Sequence, residues 1–392
     1  MHGYRAPRAF DGERLLGDGA LVLVDGGRIV AVEPASAAAP TTCEVSELPG
    51  ATLLPGLIDA HVHLCGDSGP RALDQLPELS DAEIDAIVGR SLAEQLAGGV
   101  TAVRDLGDAR WAVVDRHHHP DDGPTVVAAG PPITCPAGHC AGMGGEAAGE
   151  AGLRRAVRDR AEHGADLVKI MTSGGLMTAG TDVLATQYTL DELRAVVDEA
   201  HRVGLPVTAH AHAAAAIEQC VVAGVDGIEH GTSVTAEGIR NPPGLAAAIA
   251  AAGIPVCPTL ARRAGAVPPQ VQEALTRAHM AWEDRYPQIG ELHRAGVVLV
   301  GGVDSGINPA KPHGLMRESL VELVASGLST AEALAAGTSI AARVCGLGDR
   351  TGRLVPGLDA DLLAVAGDPL TEITALRDVR LVVSRGREPA RT

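Results

Sequence analysis

Two kinds of apolar pattern alternate along the chain. Over residues 20–33 (ALVLVDGGRIVAVE), apolar positions recur every second residue on either side of Asp25-Gly26-Gly27. That period turns one face of each segment toward a core, and the glycines tolerate the positive φ of a tight turn. The segment therefore predicts a β-hairpin. Residues 361–365 (DLLAV) and 379–384 (VRLVVS) read as strands as well. The two ends of the chain thus predict one small β unit, interrupted by everything between them.

From residue 56 to residue 346 the pattern changes. Short apolar runs occupy 57–64, 101–106, 125–130, 167–171, 206–211, 227–231, 254–258 and 297–304. Most segments between them carry helix signals. Residues 81–97 and 191–203 open on acidic groups and space apolar residues three and four apart. Eight β-runs with intervening helices predict an α/β chain: a (β/α)8 TIM barrel, which takes roughly 250 residues. The barrel spans 56–346, and a small β-sandwich domain forms from 1–55 and 347–392. A doubly wound open sheet is the competing architecture, but no GxGxxG opens the first βα turn.

Two segments break the rhythm. His117-His118-His119-Pro120-Asp121-Asp122-Gly123 is a polar loop. Three adjacent histidines cannot all point one way on an extended chain, so it reads as solvated and not as a metal site. Residues 135–149 (CPAGHCAGMGGEAAG) are too glycine-rich for a helix and too long for a tight turn; loops of that length are often functional.

Charge removes whole classes of partner. With 32 basic and 49 acidic residues the formal charge is −17, which argues against nucleic acid or an anionic membrane surface. One Phe, three Tyr and two Trp leave the core to Ala, Val, Leu and Ile, and no stacking platform for single-stranded nucleic acid. Seven cysteines without paired spacing fit a reducing compartment. Residues 1–14 hold no apolar run of a signal peptide, and no stretch is long enough to span a bilayer. The expectation is a cytoplasmic homo-oligomer acting on a small-molecule or peptide substrate. Only two lysines occur, Lys169 and Lys311, and Lys169 sits inside an apolar strand pattern.

In a barrel of this kind, reactive groups sit where strands end. The first run ends His61-Val62-His63, and two residues apart on a strand both imidazoles share a face. Lys169, His210, His230 and Asp304 close the fourth, fifth, sixth and eighth runs. Imidazole and carboxylate suit Zn²⁺ and similar divalent ions. An ammonium group does not, so a lysine in such a nest makes sense when neutral and modified: addition of CO2 would give a carbamylated Lys169 whose carboxylate bridges two ions. Taken singly these residues have plainer readings. A lone strand histidine is ordinarily core or surface, and a buried lysine can pair with an acid such as Asp166. All six at run ends, in barrel order, are hard to assign to chance.

The segments LLPGLIDAHVHL (53–64), GADLVKIMTSGG (164–175), VTAHAHAAAAI (207–217), GIEHGT (227–232), GVDSG (302–306) and DRTGRLVPGLDADLLAVAGDPL (349–370) resemble the amidohydrolase superfamily. Within it they are most similar to the branch holding imidazolonepropionase-like enzymes and the Xaa-Pro and Xaa-Arg dipeptidases. The resemblance covers nearly the whole chain and implies a TIM barrel with a β-sandwich made from both termini. It also implies a binuclear centre. His61, His63 and Asp304 would hold one ion and His210 and His230 the other, bridged by carbamylated Lys169. Gly138-His139-Cys140 with Gly144-Gly145-Glu146 resembles a loop of this branch that reaches the substrate. One departure is clear: the dipeptidases carry tyrosine where this chain has His212, which changes how a peptide carboxylate would be met.

The implied reaction is hydrolysis of a C–N bond at a carbonyl-like carbon by metal-activated hydroxide. Asp304 would accept the proton and pass it to the leaving nitrogen, and His139 would stabilise the oxyanion or bind substrate. Candidate substrate contacts are His139, His212, His313 and Arg263. His212 reads equally as a group that orients a ligand. Arg262 and Arg263 follow the seventh run and read as well as the start of a solvated helix. Asn308, His313 and Glu318 lie beyond Asp304, with His313 the best placed. A peptidase or amidase is the leading reading. A cyclic-amide hydrolase or heterocycle aminohydrolase is the alternative, and a non-catalytic scaffold is disfavoured by six intact ligands.

Overall fold

A computed structural model describes residues 1–120, 122–178 and 180–389. Asp121 of the polar loop and residues 390–392 of the terminal β unit lie outside it. Asp25 pairs with Arg28 across a two-residue turn, so Ala20–Asp25 and Arg28–Glu33 form the expected hairpin. Gly26 and Gly27 take φ of +55° and +81°, the conformation such a turn demands. This hairpin joins His2–Ala6 and Glu44–Glu47 in one sheet. A second sheet runs Val379–Val383, Leu362–Ala366, Ala51–Pro55, Arg8–Phe10, Leu15–Leu16, combining both ends of the chain. The two sheets bury one cluster between them, with Tyr4, Val22 and Ile29 meeting Leu53, Leu362 and Val383.

Between the ends the fold is mixed α/β. Leu57–Val62, Val100–Asp105 and Thr125–Ala128 pair in parallel. So do Val168–Met171, Val207–Ala213, Gly227–Thr235 and Val256–Cys257. The first six of these strands are buried almost throughout, as parallel strands covered on both faces must be. Isolated parallel bridges join the groups: Ile133 to Ile170, Val256 to Leu299, and Ser305 to Val62. The eighth run, 297–304, makes the bridge at Leu299, with the Ser305 bridge just past its end, and does not become a regular strand. Gly301 packs directly under the Met316 and Leu320 side chains of the helix Met316–Ala325.

The helices start where side chains satisfy the free backbone N–H groups. Ser80 with Glu83, Thr189 with Glu192 and Ser329 with Glu332 form capping boxes that open Asp81–Ala97, Leu190–Arg202 and Thr330–Ala336. No described helix is long and apolar enough to cross a membrane.

Helix Leu190–Arg202 is tied to helix Gly149–His163 through Glu199, which accepts from Arg202 and, at 2.7 Å, from Arg158. Arg202 and Arg158 hold this carboxyl down at about 2. A depressed carboxyl stabilises the fold above its ordinary value of 4.5, and the contribution is lost as pH falls toward 2. The arginine partners are solvent-exposed and screened, so Glu199→Gln is expected to melt only slightly below the parent at pH 7. The gap should close on acidification in melting curves taken across that window.

Candidate metal centre

Strand ends bring the polar groups together. His61 and His63 alternate with Val62 and turn to one side, their rings 5.4 Å apart. Asp304 Oδ1 lies 3.3 Å from His61 Nε2 and 3.2 Å from His63 Nε2. Rings of His210 and His230 stand 4.6 Å apart, and His61 is 5.1 Å from His230. Asp304 and His230 both adopt left-handed backbone, with φ of +69° and +66°. Non-glycine residues seldom do so, and they cluster at functional sites.

The partners of each ring decide where its lone pair points. His61 Nδ1 donates to Glu229 Oε2 at 2.8 Å, and His63 Nδ1 donates to the Gly107 carbonyl at 3.0 Å. Both acceptors lack a proton to give, so Nε2 of each ring keeps its lone pair for an ion. His210 is reversed: Nε2 donates to the Gly174 carbonyl at 3.2 Å, which frees Nδ1. Burial, with Lys169 beside it, pulls the His61 imidazole down to about 4, which keeps the ring neutral. Burial alone would raise the Asp304 carboxyl, but His61 and then His63 hold it well below the usual carboxylate range.

Lys169 is buried, and its Nζ has no hydrogen-bond partner among the described residues. Burial pushes this amine below its ordinary value. An orphaned amine facing imidazoles and a carboxylate is the atom a modification would use, so the donor set fits divalent ions. Among the described residues three compact groups could hold an ion: His61, His63 and Asp304; His210, His212 and His230; and His61, Glu229 and Cys257, the last on the Nδ1 side of His61 that Glu229 already occupies.

The centre forms the floor of a cleft of about 1030 Å³ that opens to solvent. His61, His63, Lys169, His210, His230 and Asp304 all line it, and so do His139 and His212. His139 arrives on the 135–149 loop, where its amide donates to Gln187 Oε1 at 2.6 Å. A Cβ at Gly175 would lie 2.4 Å from the His139 ring, so glycine admits the imidazole there. Burial pulls His139 down to about 4 and His212 to about 3.

Two expected substrate contacts do not reach the cleft. His313 is buried with both nitrogens used: Nε2 donates to the Gly66 carbonyl at 3.2 Å and Nδ1 accepts from Gln95 Nε2 at 3.3 Å. Arg263 points to solvent, and its neighbour Arg262 lines the cleft, packed 4.8 Å over the Trp282 ring. Asn308 lines the cleft, whereas Glu318 forms a surface ion pair with Arg377. In the polar loop, His117 binds Asp85 at 2.9 Å and His118 binds Asp166 at 2.6 Å, so neither is a free metal ligand.

The sequence reading missed the groups that hold the centre in place. Arg104 donates to Glu229 Oε1 at 2.7 Å, Thr208 donates to the same oxygen at 2.6 Å, and Glu229 in turn orients His61. Asp59 accepts from the amides of Val303 and His61 and from Ser305, stitching the first run to the eighth around Asp304. Lys311 donates to the carbonyls of Thr259 and Val303 at 2.7 and 2.6 Å, bracing the seventh run against the eighth. Arg104, Glu229, Asp59 and Lys311 are charged residues in or beside apolar runs, the same signal that singled out Lys169.

The amidohydrolase family model matches residues 52–388. The chain belongs to the amidohydrolase family. An uncharacterized protein of Mycobacterium tuberculosis is 31% identical over 350 residues, covering 86% of this chain and 85% of that one. The ochratoxinase of Aspergillus niger is 28% identical over 364 residues, 84% of this chain and 73% of that one. A prolidase solved in complex with n-methylphosphonate-l-proline superposes with a TM-score of 0.83 at 26% identity, with all of both chains covered. With that membership and these hydrolase relatives, this amidohydrolase is an enzyme acting on carbon–nitrogen bonds of small-molecule substrates.

Proposed function

We propose that this amidohydrolase cleaves an amide or peptide bond at a centre of two divalent ions, Zn²⁺ in this reading. Its substrate is a dipeptide, an N-acyl amino acid or a similar metabolite. The observation that carries the reading is the buried, unpartnered Lys169 Nζ set among His61, His63, His210, His230 and Asp304. In this assignment His61, His63 and Asp304 hold one ion and His210 and His230 the other. The neutral Lys169 amine would add to CO2, its nitrogen forming a bond to carbon as one C=O π bond opens and a proton leaves, and the resulting carboxylate would be a ligand shared by the two ions. When bound, such ions polarise the scissile carbonyl and lower the pKa of water.

The chain's own residues do the rest. Asp304, held as a carboxylate, accepts the proton of the attacking water and delivers it to the leaving nitrogen. His139 reaches over the floor of the cleft as a hydrogen-bonding group for the oxyanion. The walls are largely apolar, with Leu176, Met177, Val271, Leu275, Met280 and Trp282, and they suit a bulky apolar substituent. Arg262, which also pairs with Glu283 at 3.4 Å, and Lys311, which braces two backbone carbonyls, line the same cleft, and a substrate carboxylate would be drawn to Arg262.

A panel of N-acyl amino acids, dipeptides, lactams and hydantoins, run on zinc-loaded enzyme, tests this. Turnover is expected for linear amides that carry a carboxylate and a large apolar group. Turnover confined to the cyclic amides would replace this reading with a cyclic-amide hydrolase.

The architecture we assign with it is a (β/α)8 barrel over 56–346, closed by the bridges of the eighth run, and a β-sandwich from 1–55 and 347–392. Ending the chain at Cys345 removes the strands Leu362–Ala366 and Val379–Val383 from the second sheet, uncovers the cluster that holds Val22 and Leu53, and is expected to give insoluble protein. A soluble, active truncation would contradict the assignment.

A further inference from the structure

His212 differs from its neighbours in what holds it. Its Nδ1 lies 2.8 Å from Thr232 Oγ1, and the Arg285 guanidinium donates through Nη1 to that same oxygen. A guanidinium has no lone pair to offer, so Thr232 Oγ1 is the acceptor from Arg285. Arg285 is itself fixed: its Nη2 donates to the carbonyls of His230 and Pro258 at 2.8 and 2.7 Å. Thr232 is fully buried, and its hydroxyl has no other hydrogen-bond partner among the described residues. The hydroxyl proton therefore goes to His212 Nδ1, because a buried donor left unused is costly. A neutral imidazole that accepts at Nδ1 carries its own proton on Nε2.

That assignment bears on a choice the distances leave open. Ligand atoms of His210, His212 and His230 all lie within 4.8 Å of one another, so His212 has the position of a third ligand. An Nε2–H cannot coordinate a cation. We propose that Thr232 and Arg285 are positioning residues that lock His212 with its proton on Nε2. His212 then serves the cleft as a hydrogen-bond donor to the substrate carbonyl and not as a metal ligand. The substrate half of this statement rests on the hydrolytic reading above; the tautomer does not.

The test uses zinc-loaded protein labelled with ¹⁵N-histidine. Long-range ¹H–¹⁵N correlations report which ring nitrogen is protonated, and the His212 signals are those missing from His212→Gln. Wild type and Thr232→Ser are expected to show an Nε2–H tautomer at His212, with zinc per chain unchanged in His212→Gln. On an amide that the panel identifies, Thr232→Val is expected to lower kcat by roughly 10- to 100-fold with KM moving less than about twofold, and Thr232→Ser to restore most of it. An Nδ1–H signal in wild type overturns the proposal, as does loss of zinc in His212→Gln. If Thr232→Val does not fold, the wild-type spectrum still decides. If no amide is turned over, the hydrolytic reading fails while the spectrum still decides the tautomer.

Discussion

Asp304→Asn is expected to leave a folded protein whose turnover falls by at least about 10²-fold, the lower range for loss of a general base. Asparagine is the informative replacement because position 304 has a φ of +69° and asparagine tolerates that region better than alanine. Neighbours of the carboxylate, His61 and His63 at 3.3 and 3.2 Å, keep a polar group to face. What disappears is the negative charge and the ability to take a proton. Metal content should be retained or modestly reduced, so the rate loss cannot be traced to an empty centre. Circular dichroism, metal analysis and kcat on one panel substrate decide it. Parental turnover in the variant would show that Asp304 is not the base.

Lys169→Ala is expected to lose both metal and activity. The side chain is fully enclosed and its amine makes no hydrogen bond among the described residues, so its removal costs the fold little polar bonding. It removes the amine that the proposal makes into a bridging carboxylate, and short carboxylic acids added to the variant should restore part of the rate. Lys169→Arg keeps a long basic side chain but cannot form the carbamate. Normal metal content and turnover in Lys169→Arg would rule out the modification.

Much of this centre was legible in the residues because strand periodicity and strand ends are strong signals. His61 and His63 share a face by the two-residue repeat alone, His210, His230 and Asp304 fall at or next to the ends of apolar runs, and Lys169 stands out as a charge inside the strand Val168–Met171. Substrate contacts were less legible, since loops follow no period. Arg262 and Arg263 are adjacent, and only the packing of Arg262 on Trp282 tells which one turns inward. His313 reads as a free imidazole until Gln95 and Gly66, 218 and 247 residues away in sequence, are seen to occupy it. The Arg285–Thr232 contact likewise joins positions 53 residues apart. The left-handed backbone at His230 and Asp304 leaves no trace in the sequence, because nothing in either residue type demands it.

Metal content tests the central claim most directly. Protein purified with added zinc and bicarbonate, then freed of loosely bound ions, should carry about two equivalents per chain by plasma emission, as a closed set of imidazole and carboxylate ligands implies. Removal by a chelator should abolish turnover, and zinc with bicarbonate should restore it. A stoichiometry that stays at zero under those conditions would contradict the assignment of His61, His63, Lys169, His210, His230 and Asp304 as a metal centre.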